Sequence, residues 1–70
     1  MEKKELTYRE LHDKVMEYGE SVFGNRVRFN KWLSRKCQSL GDKPVNLINN
    51  YDGLKMIYNI LAKIEHGVFS

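Results

Sequence analysis

Three side chains in this sequence could do nucleophilic, proton-transfer or metal chemistry beyond ordinary carboxylates and amines: Cys37, His12 and His66. A nucleophile must have a base and an orienting group within hydrogen-bond reach. Cys37 follows Arg35 and Lys36, and neighbouring cations are what lower a thiol's pKa. The spacing nevertheless offers no partner set, and Cys37 reads as an incidental loop cysteine. Glu65 and His66 are adjacent and cannot face each other on a helix. His66 fits better as a favourable charge at a helix C-terminus when protonated. His12 flanks an apolar stripe and reads as a boundary residue. One cysteine and two histidines match no zinc-binding spacing, and there is no Gly-rich phosphate loop or paired-carboxylate signature. Neither a metal nor another cofactor is expected, and the reading is of a protein that is not an enzyme.

The elements that would position these groups are helices. Thr7 and Glu10 have the spacing of a capping box, and Tyr8, Leu11, Val15, Tyr18 and Val22 then recur at steps of three and four. Gly24 suits a helix-ending left-handed turn, and Asn25 can cap the next helix. That second helix is expected over about residues 26 to 35, burying Phe29, Trp32 and Leu33 and exposing Arg26, Arg28, Lys31 and Arg35. Residues 36 to 43 have no period and read as a loop anchored by Leu40. Pro44 favours a short connector helix, and Asn49 or Asn50 caps a last helix over about 51 to 66 that ends at Gly67. Its stripe of Leu54, Ile57, Tyr58, Leu61 and Ile64 is widened by Met56 and Ile60, as expected of a central or interfacial helix. No segment alternates with period two. The expected fold is all-α, a small helical domain of three main helices plus a short connector.

Length and charge limit the function further. A single domain of 70 residues buries about 60% of its unfolded surface, and one such core supplies roughly 3 to 5 kcal/mol. With neither a disulfide nor a metal, association with a partner is the remaining source of stability. The sequence shows no apolar stretch of signal-peptide or membrane-span length, which together with a lone cysteine points to the cytoplasm. The net charge of +3 is uneven: residues 1 to 24 carry four basic against six acidic groups, whereas residues 25 to 43 carry six against one. That basic segment admits an alternative function, a small DNA-binding regulator using Arg26, Arg28, Lys31 and Arg35, with Asn30 available to a base edge. A solvated basic face or a surface for an acidic protein fits the same residues. Met56 and Ile60 admit another, a stand-alone oligomerisation module. At the other end, Val68 and Phe69 follow the helix-stopping Gly67. They can fold back on the last turn, or form a short extended plug with the Ser70 carboxylate at its tip.

One ordered set of residues carries a family resemblance. Val22-Phe23-Gly24, Trp32-Leu33, Leu40-Gly41, Pro44, Leu47-Ile48, Gly53-Leu54 and Leu61 lead to the closing run Ile64-Glu65-His66-Gly67-Val68-Phe69. Over about residues 22 to 69 the chain resembles the toxin-binding domain of the ParS, MbcA and Xre antitoxins. The resemblance implies an all-α bacterial antitoxin domain that neutralises a toxin encoded beside it. That toxin would be of the NAD⁺-consuming RES class or the related ParT ADP-ribosyltransferase type. In that family the C-terminal end of the domain obstructs the toxin's NAD⁺ site, which would make Glu65, His66, Gly67, Val68, Phe69 and Ser70 the toxin-binding segment. Trp32, Leu33, Leu40, Gly41, Pro44 and Leu47 would be framework. Residues 22 to 70 would form the toxin-binding domain, with residues 1 to 21 as a leader, support or oligomerisation helix, and a homo-oligomer is expected.

The chain departs from the family pattern in two places. Such antitoxins carry an N-terminal helix-turn-helix that binds operator DNA, whereas here about 21 residues, read as one helix, precede the matching region. The resemblance therefore supports inhibition and does not carry repression over. Cys37 stands where Asn or Pro is frequent and Asp42 where a second glycine is common, so the choice of toxin is expected to differ with them.

Overall fold

The computed structural model describes residues 6–67. Helix α1 runs Tyr8–Phe23, α2 Arg26–Leu33 and α3 Tyr51–Glu65, with a one-turn 3-10 helix at Pro44–Asn46. Among the described residues there is no strand, only an isolated bridge between Cys37 and Asp42. The fold is all-α.

Each of the three α-helix starts has a side-chain acceptor for a backbone N–H that the helix itself leaves unpaired. At α1, Thr7 Oγ1 accepts from Glu10 N–H at 3.1 Å while Glu10 Oε1 accepts from Thr7 N–H at 2.9 Å, the reciprocal box the sequence predicts. Asn25 caps α2 through Arg28 N–H, and Asn50 caps α3 through Gly53 N–H at 2.7 Å. Gly24, at φ +92°, reverses the chain between α1 and α2 and donates to the Glu20 carbonyl. Arg26 Nε then meets Glu20 Oε2 at 2.7 Å across the turn.

Helix α2 is shorter than the sequence suggests, ending at Leu33. The cause is local: Ser34 donates from both its N–H and its hydroxyl to the Asn30 carbonyl, and Arg35 N–H turns back to Trp32. The loop after it closes through Cys37, whose N–H donates to the Asp42 carbonyl and whose own carbonyl accepts from Leu40 and Gly41. Pro44 is buried at the first position of the 3-10 turn, where its missing N–H costs nothing.

The core is Leu11 and Val15 from α1, Phe29 and Leu33 from α2, and Leu54, Ile57 and Leu61 from α3. Helix α1 lies chiefly on α3, and α2 packs on α1 and the 3-10 turn. The breadth of the α3 apolar surface is explained by its central place: Leu54, Ile57 and Leu61 are fully buried and Ile60 is 8% exposed. Trp32 is half-buried rather than buried. It sits at the core edge with its ring 5.5 Å from Phe23 and 6.1 Å from Phe29. Leu40 and Leu47 pack on the core from the connecting segment. Tyr8, first on the α1 stripe, is 44% exposed but anchors the connector by donating from its hydroxyl to the Ile48 carbonyl at 2.6 Å.

Candidate functional site

The residues expected to meet a partner gather where α3 ends. Glu65 is its last helical residue. His66 follows as an exposed C-cap whose N–H donates to the Ala62 carbonyl, and Gly67, at φ +71°, donates to Ile64. A left-handed residue at this point turns the chain out of the helix axis, and glycine adopts it without steric cost. Val68, Phe69 and Ser70 lie outside the described residues.

Glu65 does not stand alone. Tyr18 on α1, forty-seven positions earlier, donates its hydroxyl to Glu65 Oε1 at 2.5 Å. The hydrogen bond to the carboxylate, reinforced by partial desolvation and by the negative charge itself, raises the Tyr18 hydroxyl from 10.0 to about 12. The Tyr18 ring in turn rests 4.9 Å from the ring of Tyr58, about two turns before Glu65 on α3. Sequence reading placed Tyr18 on the apolar stripe of α1 and missed its polar end. The signal was available in the residue type, since a half-buried tyrosine generally finds a partner for its hydroxyl.

The remaining candidate residues are dispersed. Arg28, Lys31 and Arg35 are exposed on the outer side of α2 and its C-terminal turn, together with Val27 at 64% exposure, while Arg26 is engaged by Glu20. Met56 and Ile60, expected to share an exposed face, are separated by their burial. Met56 is 44% exposed, whereas Ile60 is 8% exposed and packed within the chain. Of the framework residues, Leu33 and Pro44 are buried, Trp32, Leu40 and Leu47 half-buried, and Gly41 is exposed at φ +74°. Cys37 is a half-buried free thiol. His12 is half-buried at the edge of α1, with Nδ1 3.6 Å from Asp13 Oδ1 and its ring 6.0 Å from that of Tyr8. Among the described residues no group of three or more His, Cys, Asp or Glu side chains could hold a metal ion, and no helix is long and apolar enough to cross a membrane.

Two glycines, Gly19 and Gly53, decide how closely the helices approach. A Cβ on Gly19 would lie 2.1 Å from Phe29 Cζ, and one on Gly53 would lie 1.8 Å from the Leu47 carbonyl oxygen. The first lets α2 drive its aromatic ring against the α1 backbone. The second lets the 3-10 turn lie directly on the start of α3.

The sequence profile of the antitoxin Xre/MbcA/ParS C-terminal toxin-binding domain matches residues 19–67, well over half of the chain. The chain belongs to this antitoxin family. Within the toxin-binding domain so defined fall the last turn of α1, all of α2, the bridged loop, the 3-10 turn and α3 as far as Gly67. The match begins at Gly19, where Phe29 takes the space of a missing side chain, and ends on the turn that releases the tail. Most of α1, Tyr18 included, precedes it. Comparison with curated proteins and with solved structures gave no match.

Proposed function

We propose that this chain is a non-enzymatic cytoplasmic antitoxin that binds a NAD⁺-consuming toxin, of the RES type or the related ADP-ribosyltransferase type, and occludes its active site. Residues 22–70 form the binding part, with residues 1–21 as its support helix. Glu65, His66, Gly67, Val68, Phe69 and Ser70 are the segment that enters the cleft. The observation that carries this reading is the family match, which runs to Gly67 and so includes the end of α3 from which the segment departs.

Occlusion asks for little chemistry. It requires a segment of the right shape held in a defined direction, because ordering a loose segment on binding consumes part of the interaction energy. The fixed end of α3, with Glu65 held by Tyr18, supports that requirement. A cleft filled by an apolar segment has no room for the dinucleotide, and no group in the segment has to react.

The test is a NAD⁺-hydrolysis assay on the purified product of the adjacent reading frame, which this reading expects to be a RES-domain or ADP-ribosyltransferase protein. Stoichiometric full-length chain should abolish turnover, and a chain lacking residues 68–70 should fail to do so at the same concentration while retaining its helical circular dichroism. Full inhibition by the truncated chain removes the occlusion model. Absence of any complex between the two proteins removes the toxin assignment.

A second reading rests on the exposed cations of α2. Arg28, Lys31 and Arg35 have no ion-pair partner among the described residues and lie on one side of the helix, a geometry suited to phosphate contact. Three neutralised phosphates would give duplex binding a log-log salt slope of about −3. A mobility shift on the upstream DNA at two salt concentrations tests it, and no shift at low salt removes it.

A further inference from the structure

Between α1 and α3 runs an open groove lined by Leu6, Leu11, Lys14, Lys55, Tyr58 and Asn59. Leu11 is 7% exposed and forms its floor, with Leu6 and the Tyr58 ring as apolar walls. Lys14 and Lys55 stand exposed beside it, one from each helix. Among the described residues neither ammonium has a carboxylate within ion-pair distance, and Lys55 has only the Tyr51 ring, 5.4 Å away. The groove is thus an apolar depression flanked by two cations that the fold does not neutralise.

Its position gives it significance. Tyr58, one of its walls, is 39% exposed and lies against Tyr18, which holds Glu65, which precedes the tail. The groove, the tyrosine pair and the root of the tail therefore form one continuous surface along the α1–α3 seam. Three of the six lining residues, Leu6, Leu11 and Lys14, precede the span matched to the family. This surface is built partly from the chain's own N-terminal helix.

We infer that the α1–α3 groove is a second docking site for the toxin, accepting a surface segment that presents an apolar side chain flanked by carboxylates. The apolar side chain covers Leu11 and the Tyr58 ring, the carboxylates meet Lys14 and Lys55, and the Asn59 amide can bond the segment's backbone. Continuity with the end of α3 and the unneutralised charge select this occupant. A second copy related by a two-fold axis through the groove would set these lysines against one another. The inference rests on the toxin-binding reading but not on occlusion by the tail: the groove supplies affinity, the tail supplies inhibition.

The experiment uses full-length chain and a catalytically inert form of the toxin that the proposed function expects in the adjacent reading frame, with affinity measured by calorimetry at low and high salt. The double charge reversal Lys14→Glu, Lys55→Glu is expected to weaken binding at least about tenfold at low salt and to flatten the salt dependence. Both lysines are exposed, so an unchanged urea midpoint shows that the fold is intact. Tyr58→Ala should weaken binding at both salt concentrations. The chain lacking residues 68–70 should still bind, and the charge reversal should remove that residual affinity.

The two readings separate cleanly. Residual binding without inhibition supports both, whereas residual binding with inhibition overturns occlusion and leaves the groove standing. Wild-type affinity in the double reversal overturns the groove. So does a wild-type dimer, seen in sedimentation, that Tyr58→Ala dissociates, because the groove then belongs to a second copy. Failure of the wild-type chain to bind the toxin overturns the partner reading and the groove with it.

Discussion

The Tyr18 hydroxyl on α1 donates to the Glu65 carboxylate, tying α1 to the last helical residue of α3. The bond holds the phenol in its protonated form and raises it to about 12. Because the folded-state value lies above the ordinary one, the bond contributes fully below about pH 10 and is lost as pH rises through about 12. The chain has four tyrosines, and phenolate absorbance during alkaline titration should show one of them ionising late. Glu65→Gln removes the negative acceptor and should return that transition toward 10. An unaltered late transition in this variant would assign it to another tyrosine.

The same bond separates a positioning role from a structural one. Tyr18→Phe keeps the ring on Tyr58 and removes only the donor, so the urea midpoint should move little, as expected of an exposed polar contact. Amide exchange at His66 and Gly67 should accelerate, since the residue before them is then no longer tied to α1. Unchanged exchange there, with inhibition intact, would make the bond incidental to the tail.

Gly19 and Gly53 test the packing directly. Alanine is favoured over glycine in a helix by about 1 kcal/mol, but here the added methyl would overlap Phe29 in one case and the Leu47 carbonyl in the other. Overpacking of this kind typically costs about 1 to 3 kcal/mol. Gly19→Ala should therefore lower stability despite its helix preference, because the Phe29 ring is buried and has little space to give. Gly53→Ala should be worse, because the obstacle is backbone. With roughly 3 to 5 kcal/mol available to a core of this size, that variant is expected to be largely unfolded at 37 °C by circular dichroism.

These two positions also show where reading the sequence stops. The helices, their caps at Thr7, Asn25 and Asn50, and the stripes of Leu11, Val15, Leu54, Ile57 and Leu61 follow from periodicity and cap chemistry, both of which are local. A glycine inside a helical pattern carries no sign of what lies against it, so the close approaches at Gly19 and Gly53 were not legible. The width of the apolar face on α3 was legible, but its cause was not: periodicity cannot say whether Ile60 faces its own chain or a partner. The Tyr18 to Glu65 link joins residues far apart in sequence, beyond any local rule. The family pattern named the end of α3 without revealing what holds it.

The caps should differ in weight. Asn50 starts the helix that carries three fully buried side chains, and its bond to Gly53 N–H is partly buried, whereas the Thr7 box is exposed. Replacing a side-chain cap by alanine costs about 0.5 to 2 kcal/mol, with the greater cost where water cannot replace the acceptor. Asn50→Ala should accordingly lower the urea midpoint more than Thr7→Ala. The reverse order would indicate that the start of α1, rather than that of α3, contributes more to the stability of the packed core.

Asp42 holds the loop that carries Cys37. Its Oδ1 accepts from the Asn46 side chain at 3.1 Å and from Lys43 N–H at 2.6 Å, and its carbonyl accepts from Cys37 N–H. The Asn46 bond, then the Lys43 bond, place the carboxyl below its ordinary 3.8. A depressed folded-state value means that the contribution is present above about pH 4 and lost as pH falls through the lower folded value. The loop should consequently be intact at neutral pH and open only in acid. Asp42→Ala mimics that loss without acid, removing the side-chain acceptor while leaving the backbone bridge. Cys37, half-buried in the closed loop, should then react faster with a thiol reagent at pH 7, while Asp42→Glu restores part of the protection. Equal labelling rates in wild type and Asp42→Ala would mean that the backbone bonds of Cys37 suffice to close the loop and that Asp42 has no hold on it.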